Sequence, residues 1–189
     1  MLKPLSGSST RHLPSLQFQK PSQITMKSCP HCTAMLKVTG IGGKDRLACE
    51  LCEFVHWDNP KPVTATLVTM DSELVLVKRK FEPFVDDWCL PGGFIEASED
   101  PEESAAREVF EETGLEVRIE KLLGASAPGH GINVIILFYQ GTPVGGRLEA
   151  GDDASAVGTF KPDSMPKNIA FPLHRKMISQ FFQSVKSEA

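Results

Sequence analysis

Acidic residues are missing from the first 28 positions of this 189-residue chain, and nowhere do apolar residues run on without a break. The second absence excludes a membrane-spanning helix, which needs about 18 or more apolar residues in succession. The longest apolar candidate, 132–139, is interrupted by Asn133. The first absence, set beside several Ser and scattered Lys3, Arg11, Lys20 and Lys27, is a bias shared by organelle transit peptides and plain disordered tails. The apolar core of a secretory signal is lacking, and a translation start at Met26 is a third reading. These alternatives stay open, with a cytoplasmic location expected and organelle import through the tail left open. Internal repeats are also absent.

Cysteine is too scarce for a disulfide framework. There are five, an odd number, and four fall as two CxxC pairs, which suits metal binding in a reducing compartment. Charge is unevenly spread. Residues 1–62 carry 8 Lys and Arg against 4 Asp and Glu, so 12 against 20 fall in residues 63–189. An acidic region of that size repels phosphate unless divalent cations neutralise some of its carboxylates.

Past the tail, Cys29 to Cys52 form a compact unit, and Asn59-Pro60-Lys61-Pro62 reads as a turn that ends it. The partition expected is a tail over 1–28, a metal ribbon over 29–60 and a larger domain over 61–189. Segments 63–70 and 73–78 are rich in Val, Leu and Thr and flank Asp71-Ser72, which predicts strand, turn, strand. Segments 116–123 and 132–140 read as further strands, the latter buried on both faces. One helix starts after Asp100, an N-cap followed by Pro101, and stops at Gly114. A second covers 173–185, with Met177, Ile178, Phe181 and Phe182 on one stripe. Interleaved strands and helices predict an α/β domain.

The most informative segment is Gly93-Phe-Ile-Glu-Ala-Ser-Glu99 and, seven residues on, Arg107-Glu108-Val109-Phe110-Glu111-Glu112-Thr113-Gly114-Leu115. At about 100° per residue, Glu108, Glu111 and Glu112 share an arc of roughly 100°, while Ala105, Ala106, Val109 and Phe110 are expected to face the other way. Like charges at this spacing cost roughly 0.2–0.5 kcal/mol per pair even in the open. The helix contains no Lys to offset them. All-oxygen ligands suit a hard cation, and Mg²⁺, which bridges to substrate phosphates, is the natural one. Gly92 and Gly93 let backbone approach the same cations.

These residues resemble the Nudix box at every fixed position, a coincidence expected in about one chain in a million. The resemblance implies an α/β/α sandwich with a mixed sheet. It also implies Glu108, Glu111 and Glu112 as ligands of Mg²⁺ or Mn²⁺, the Gly92 carbonyl as a backbone ligand, and Arg107 and Glu99 as orienting groups. The activity implied is hydrolysis of a diphosphate bridge by an activated water. Glu108 is the first choice for the proton acceptor. Asp153 sits where many relatives carry an acidic residue before the last core strand, and the bland reading makes it a turn cap.

Cys29-Pro-His-Cys32, sixteen residues, then Cys49-Glu-Leu-Cys52 fits a two-hairpin site for one tetrahedral Zn²⁺, filled by sulfur and hence structural. So few residues cannot bury enough surface to fold without it. Cys89 reads as a small buried residue and His31 as a solvated loop residue. Ribbon and box together resemble zinc-ribbon Nudix hydrolases, a branch that includes NADH, ADP-ribose and FAD pyrophosphatases.

Substrate choice is less legible. NADH-cleaving relatives carry Ser-Gln-Pro-Trp-Pro-Phe-Pro after the box, whereas this chain has Ser126-Ala-Pro-Gly-His130-Gly. Pro128 resembles the ADP-ribose pyrophosphatases, and His130 is a candidate phosphate or ribose contact. Phe81, Phe84 and Trp88 precede the box as candidates to pack on a base, or else as core. The expected partner is a nucleoside diphosphate derivative, and a homodimer is compatible with the sequence. The competing class is a ligand-sensing regulator that holds nucleic acid through its ribbon. It is disfavoured because the basic residues of the N-terminal part have no interleaved aromatics.

Overall fold

The computed structural model describes residues 27–129, 131–151 and 153–188, with side chains to 185. The expected tail therefore lies outside the described residues except for Lys27 and Ser28, and so does His130. A small antiparallel sheet comes first: β1 (Lys37–Ile41), β2 (Lys44–Ala48) and β3 (Val55–His56). Its core is only Cys29, Leu36 and Cys49, with Ala34, Leu47, Cys52 and Phe54 packed around them.

The larger unit is built on β4 (Lys61–Met70), β5 (Glu73–Arg79), β6 (Trp88–Cys89), β7 (Leu115–Ser126), β8 (Val134–Gly146) and β9 (Ala154–Phe160), with α1 (Pro101–Thr113) and α2 (Pro172–Glu188). The sheet runs β6-β5-β4-β8-β7, and β9 pairs with β5. Among the pairs of these strands in the described residues, β4 with β8 is parallel and the others are antiparallel. No helix is long and apolar enough to cross a membrane among the described residues.

Side-chain alternation along β4 divides the core. Ala65 and Leu67 face α2, where Leu74, Leu76, Phe138, Ile178 and Phe181 join them. Val68 faces α1, with Val75, Val109 and Leu115. The result is an α/β/α sandwich with a mixed sheet. The β4–β5 hairpin turns on Asp71 (φ 49°) and Ser72 (φ 66°), a left-handed pair matched to the twist of two strands joined by two residues.

Beyond that hairpin the two strands splay apart, since β4 pairs with β5 only at residues 69–70. The segment from Trp88 to Gly93 fills the fork. Its start pairs with β5, while the Thr64 and Thr66 N–H groups of β4 donate to Gly93 O and Pro91 O at 2.8 Å each. The glycine loop is thus held in the plane of the sheet.

Helix α1 starts and stops as its sequence dictates. The Asp100 side chain accepts the Glu102 N–H at 2.9 Å, and Gly114 closes the helix at φ 70°. Its last turn carries no basic residue. Backbone from the β8–β9 connection covers that end: Arg147, Glu149 and Gly151 N–H groups donate to Gly114, Thr113 and Glu112 carbonyls. The helix faces divide differently from the expected split of acidic and apolar residues. Phe110 is 53% exposed, because the face buried against the sheet is Ser104, Ala105, Val109 and Thr113, with Glu108 and Glu112 beside them. Strand β8 also continues past 140 to Gly146, because β7 pairs with it along that whole length.

Candidate active site

The acidic edge of α1 lies directly beneath the glycine loop. Glu112 Oε2 accepts the Gly92 N–H at 2.9 Å. A side chain on Gly92 (φ 155°) would strike the Thr64 carbonyl, and a Cβ on Gly93 would come within 2.5 Å of the Glu108 carboxyl carbon. Only glycine permits this closeness between loop and carboxylates.

Arg107 organises the rest. Its guanidinium grips Glu99 at 2.6 and 3.0 Å, donates to Phe94 O at 3.1 Å, and reaches Glu108 at 2.8 Å and Glu111 at 3.0 Å. The Arg107 hydrogen bonds hold the Glu99 carboxyl down at about 2. Burial outweighs the same arginine at Glu108 and raises its carboxyl. Glu112 is pushed up to about 8, first by burial and then by Glu108 and Asp153, against the lowering pull of the Gly92 N–H.

Three carboxylates along the last turns of one helix, two of them raised by burial and mutual repulsion, form a donor set that a hard divalent cation fits. The set runs from buried to exposed: the Glu108 side chain is 15% exposed and that of Glu111 56%. Asp153, exposed at the start of β9, is close enough for its charge to raise Glu112. The Gly151 N–H bond to the carbonyl of Glu112, 3.1 Å, brings it there.

The candidate substrate contacts separate. Trp88 packs edge-on to Phe160 at 4.8 Å against the α2-side core. Phe84 remains 46% exposed and meets Phe171 edge-on at 5.5 Å. Pro128 is half-buried in the β7–β8 connection. Sequence reasoning missed Arg79, whose Nε donates to Pro83 O at 2.7 Å and whose guanidinium lies 5.0 Å over Phe171. Its charge also bears on Glu112. The basic run Lys78-Arg79-Lys80 inside an acidic half was the available signal.

The four cysteines form a second centre. All four sulfurs lie within 4.8 Å of one another. Cys29 and Cys52 are 3.5 Å apart, Cys32 and Cys49 3.4 Å, and Cys32 and Cys52 3.8 Å. These separations far exceed a disulfide bond and approach the edge, about 3.8 Å, of a tetrahedron with Zn–S near 2.3 Å. Each CxxC turn aims one backbone N–H at its own first cysteine: His31 at Cys29 and Leu51 at Cys49, both 3.4 Å. The Leu51 N–H holds the Cys49 thiol down at about 7. Such donors favour thiolate, the form that binds metal.

A buried acidic helix edge under a glycine loop, on a mixed-sheet sandwich, is an arrangement suited to hydrolysis of a diphosphate bridge. The NUDIX domain matches residues 60–181. An ADP-ribose pyrophosphatase of Methanocaldococcus jannaschii is 37% identical over 131 residues, 66% of this chain and 75% of the relative. A MutT-like protein of Streptomyces ambofaciens is 32% identical over 57% of this chain and 68% of its own length. A NUDIX hydrolase from Nitrosomonas europaea superposes with a TM-score of 0.77 at 25% identity, covering 84% of this chain and 91% of its own. The chain belongs to the Nudix family.

Proposed function

We propose that this chain is a Mg²⁺- or Mn²⁺-dependent diphosphatase that cleaves a nucleoside diphosphate linked to a second moiety, preferring an ADP-ribose-like substrate over NADH or FAD. The products are a nucleoside monophosphate and a phosphorylated remainder. The observation that carries the reading is the contact of the glycine loop with the acidic edge of α1, Gly92 N–H to Glu112 with Glu108 packed on Gly93. The 37% identity to an ADP-ribose pyrophosphatase supports the substrate class.

In this reading Glu108, Glu111 and Glu112 hold the cations with the Gly92 carbonyl, while Glu99 and Arg107 fix the carboxylates in place. Divalent cations held there would neutralise charge developing on the diphosphate and lower the pKa of the water that attacks phosphorus. Glu108 takes the proton of that water, with Asp153 the second candidate. The four cysteines hold a structural Zn²⁺, and the ribbon over 29–60 is a unit distinct from the catalytic one over 61–189.

A phosphate-release screen over ADP-ribose, NADH, FAD, nucleotide sugars and nucleoside triphosphates, with Mg²⁺ or Mn²⁺ and a coupled phosphatase, tests the substrate class. Glu111→Gln should abolish turnover while leaving the circular dichroism spectrum unchanged, and full activity in that variant would remove Glu111 from the ligand set.

A further inference from the structure

Between Trp88 and the glycine loop, the chain runs beside the segment that leads into α2. Two rungs of a parallel ladder join them: Trp88 N–H donates to Asn168 O and Ala170 N–H to Trp88 O, both 2.9 Å. In a parallel ladder the next rung would run from the Leu90 N–H to the Ala170 carbonyl. It cannot continue far, because Pro172 has no N–H and opens α2. The Leu90 N–H instead donates to Nδ1 of His174, at 3.2 Å in a buried setting. An imidazole therefore stands in for a backbone carbonyl at the last position before Pro91, Gly92 and Gly93.

We propose that His174 is a positioning residue for hydrolysis, anchoring Leu90 so that the Pro91-Gly92-Gly93 turn meets Glu112 and Glu108 in register. This rests on the function proposed above. The anchored amide lies two positions before the Gly92 N–H that bonds Glu112, with Pro91 alone between them, so the tie at Leu90 bears on the turn that meets the acidic edge. The carbonyls of Pro91 and Gly93 are fixed to β4 by the Thr66 and Thr64 N–H groups. His174 supplies the opposing tie.

The side chain is built for it. It is 7% exposed and wedged between the rings of Phe138 and Phe171, with centroids 5.7 and 5.0 Å away. Burial and nearby Arg79 hold it at about 3, so the imidazole is neutral and keeps a lone pair on Nδ1. Arg175, the next residue, donates to Lys167 O and Ile169 O at 3.4 and 3.1 Å and stiffens the segment on its other edge. A histidine that merely filled space would be replaceable by leucine.

The test compares His174→Leu, His174→Ala and His174→Asn, whose Oδ1 occupies the place of Nδ1, with Ile178→Ala, a buried neighbour one turn along α2 that forms no side-chain hydrogen bond. Supporting groups of this kind are worth roughly 10–100-fold in activity or metal affinity. His174→Leu and His174→Ala should lose about tenfold or more in kcat for ADP-ribose, with KM within about threefold. The Mn²⁺ dissociation constant, read by electron paramagnetic resonance without substrate, should rise about tenfold. His174→Asn should recover most of both, and Ile178→Ala should lower Tm without changing either.

Wild-type kcat and Mn²⁺ affinity in a folded His174→Leu or His174→Ala protein would overturn the proposal, as would an equal loss in Ile178→Ala. Absence of ADP-ribose turnover in the wild type strikes the substrate reading alone, because Mn²⁺ affinity still decides the role of His174.

Discussion

Two hydroxyls illustrate how single residues carry this structure. Thr64 and Thr66 are fully buried on the α1 side of β4, and neither side-chain oxygen has a hydrogen-bond partner among the described residues. A buried hydroxyl without a partner is destabilising, whereas a methyl of the same shape is not. Thr66→Val should therefore raise unfolding stability by about 1 kcal/mol in urea titration; a loss of that size would mean the hydroxyl is satisfied. His174 gives the opposite kind of residue effect. Its folded value of about 3 lies below the ordinary 6.5, so between those pH values the unfolded chain binds the extra proton. Stability falls as pH drops through this window, by at most about 1.4 kcal/mol per pH unit from this group. His174→Asn should flatten the acid limb of a Tm-against-pH plot. The acidic box and the paired cysteines were legible because their chemistry is local in spacing. His174 and Arg79 were not, because their roles exist only once distant segments meet, Leu90 and His174 being 84 positions apart.

At the scale of elements, α1 is the piece on which most converges, and its C-terminal end is clasped by the β8–β9 connection. Gly151 passes so close that a Cβ there would collide with the Glu111 carbonyl. Gly151→Ala should cost about 1–3 kcal/mol, as overpacking does, and should depress kcat by displacing the turn that bears Glu111 and Glu112. Thermal unfolding and steady-state rates measure both. This helix was readable end to end, since Asp100, Pro101 and Gly114 are punctuation that acts within one turn. The strands were less so. The reach of β8 to Gly146 is set by its partner β7, and β9 takes its place from pairing with β5, to which the short sequence of β9 gives no pointer. Helical periodicity set Ala105, Ala106, Val109 and Phe110 together opposite the carboxylates; in the fold Ala105 and Val109 share the buried face that Glu108 and Glu112 border, and Phe110 turns outward.

For the molecule as a whole, two sheets rest on cores of very unequal size. The ribbon core is three side chains and their borders, too little to hold against chain entropy without a metal cross-link. Mercurial titration of the thiols should release one zinc per chain, and a chelator should melt the ribbon while far-ultraviolet circular dichroism of the α/β sheet persists. Loss of the whole spectrum in one step would show that the two sheets stand or fall together.

The placement of Glu108, Glu111 and Glu112 toward the C-terminal end of α1, in a helix whose last turn has no basic residue, has a physical consequence of its own. Aligned peptide dipoles make that end of a helix its negative pole. Side chains and backbone thus pull a positive ion in the same direction. Attraction set by total charge discriminates weakly between ions of equal valence, so under the function proposed above the choice among magnesium, manganese and calcium would fall to the geometry of the ligands and not to their charge.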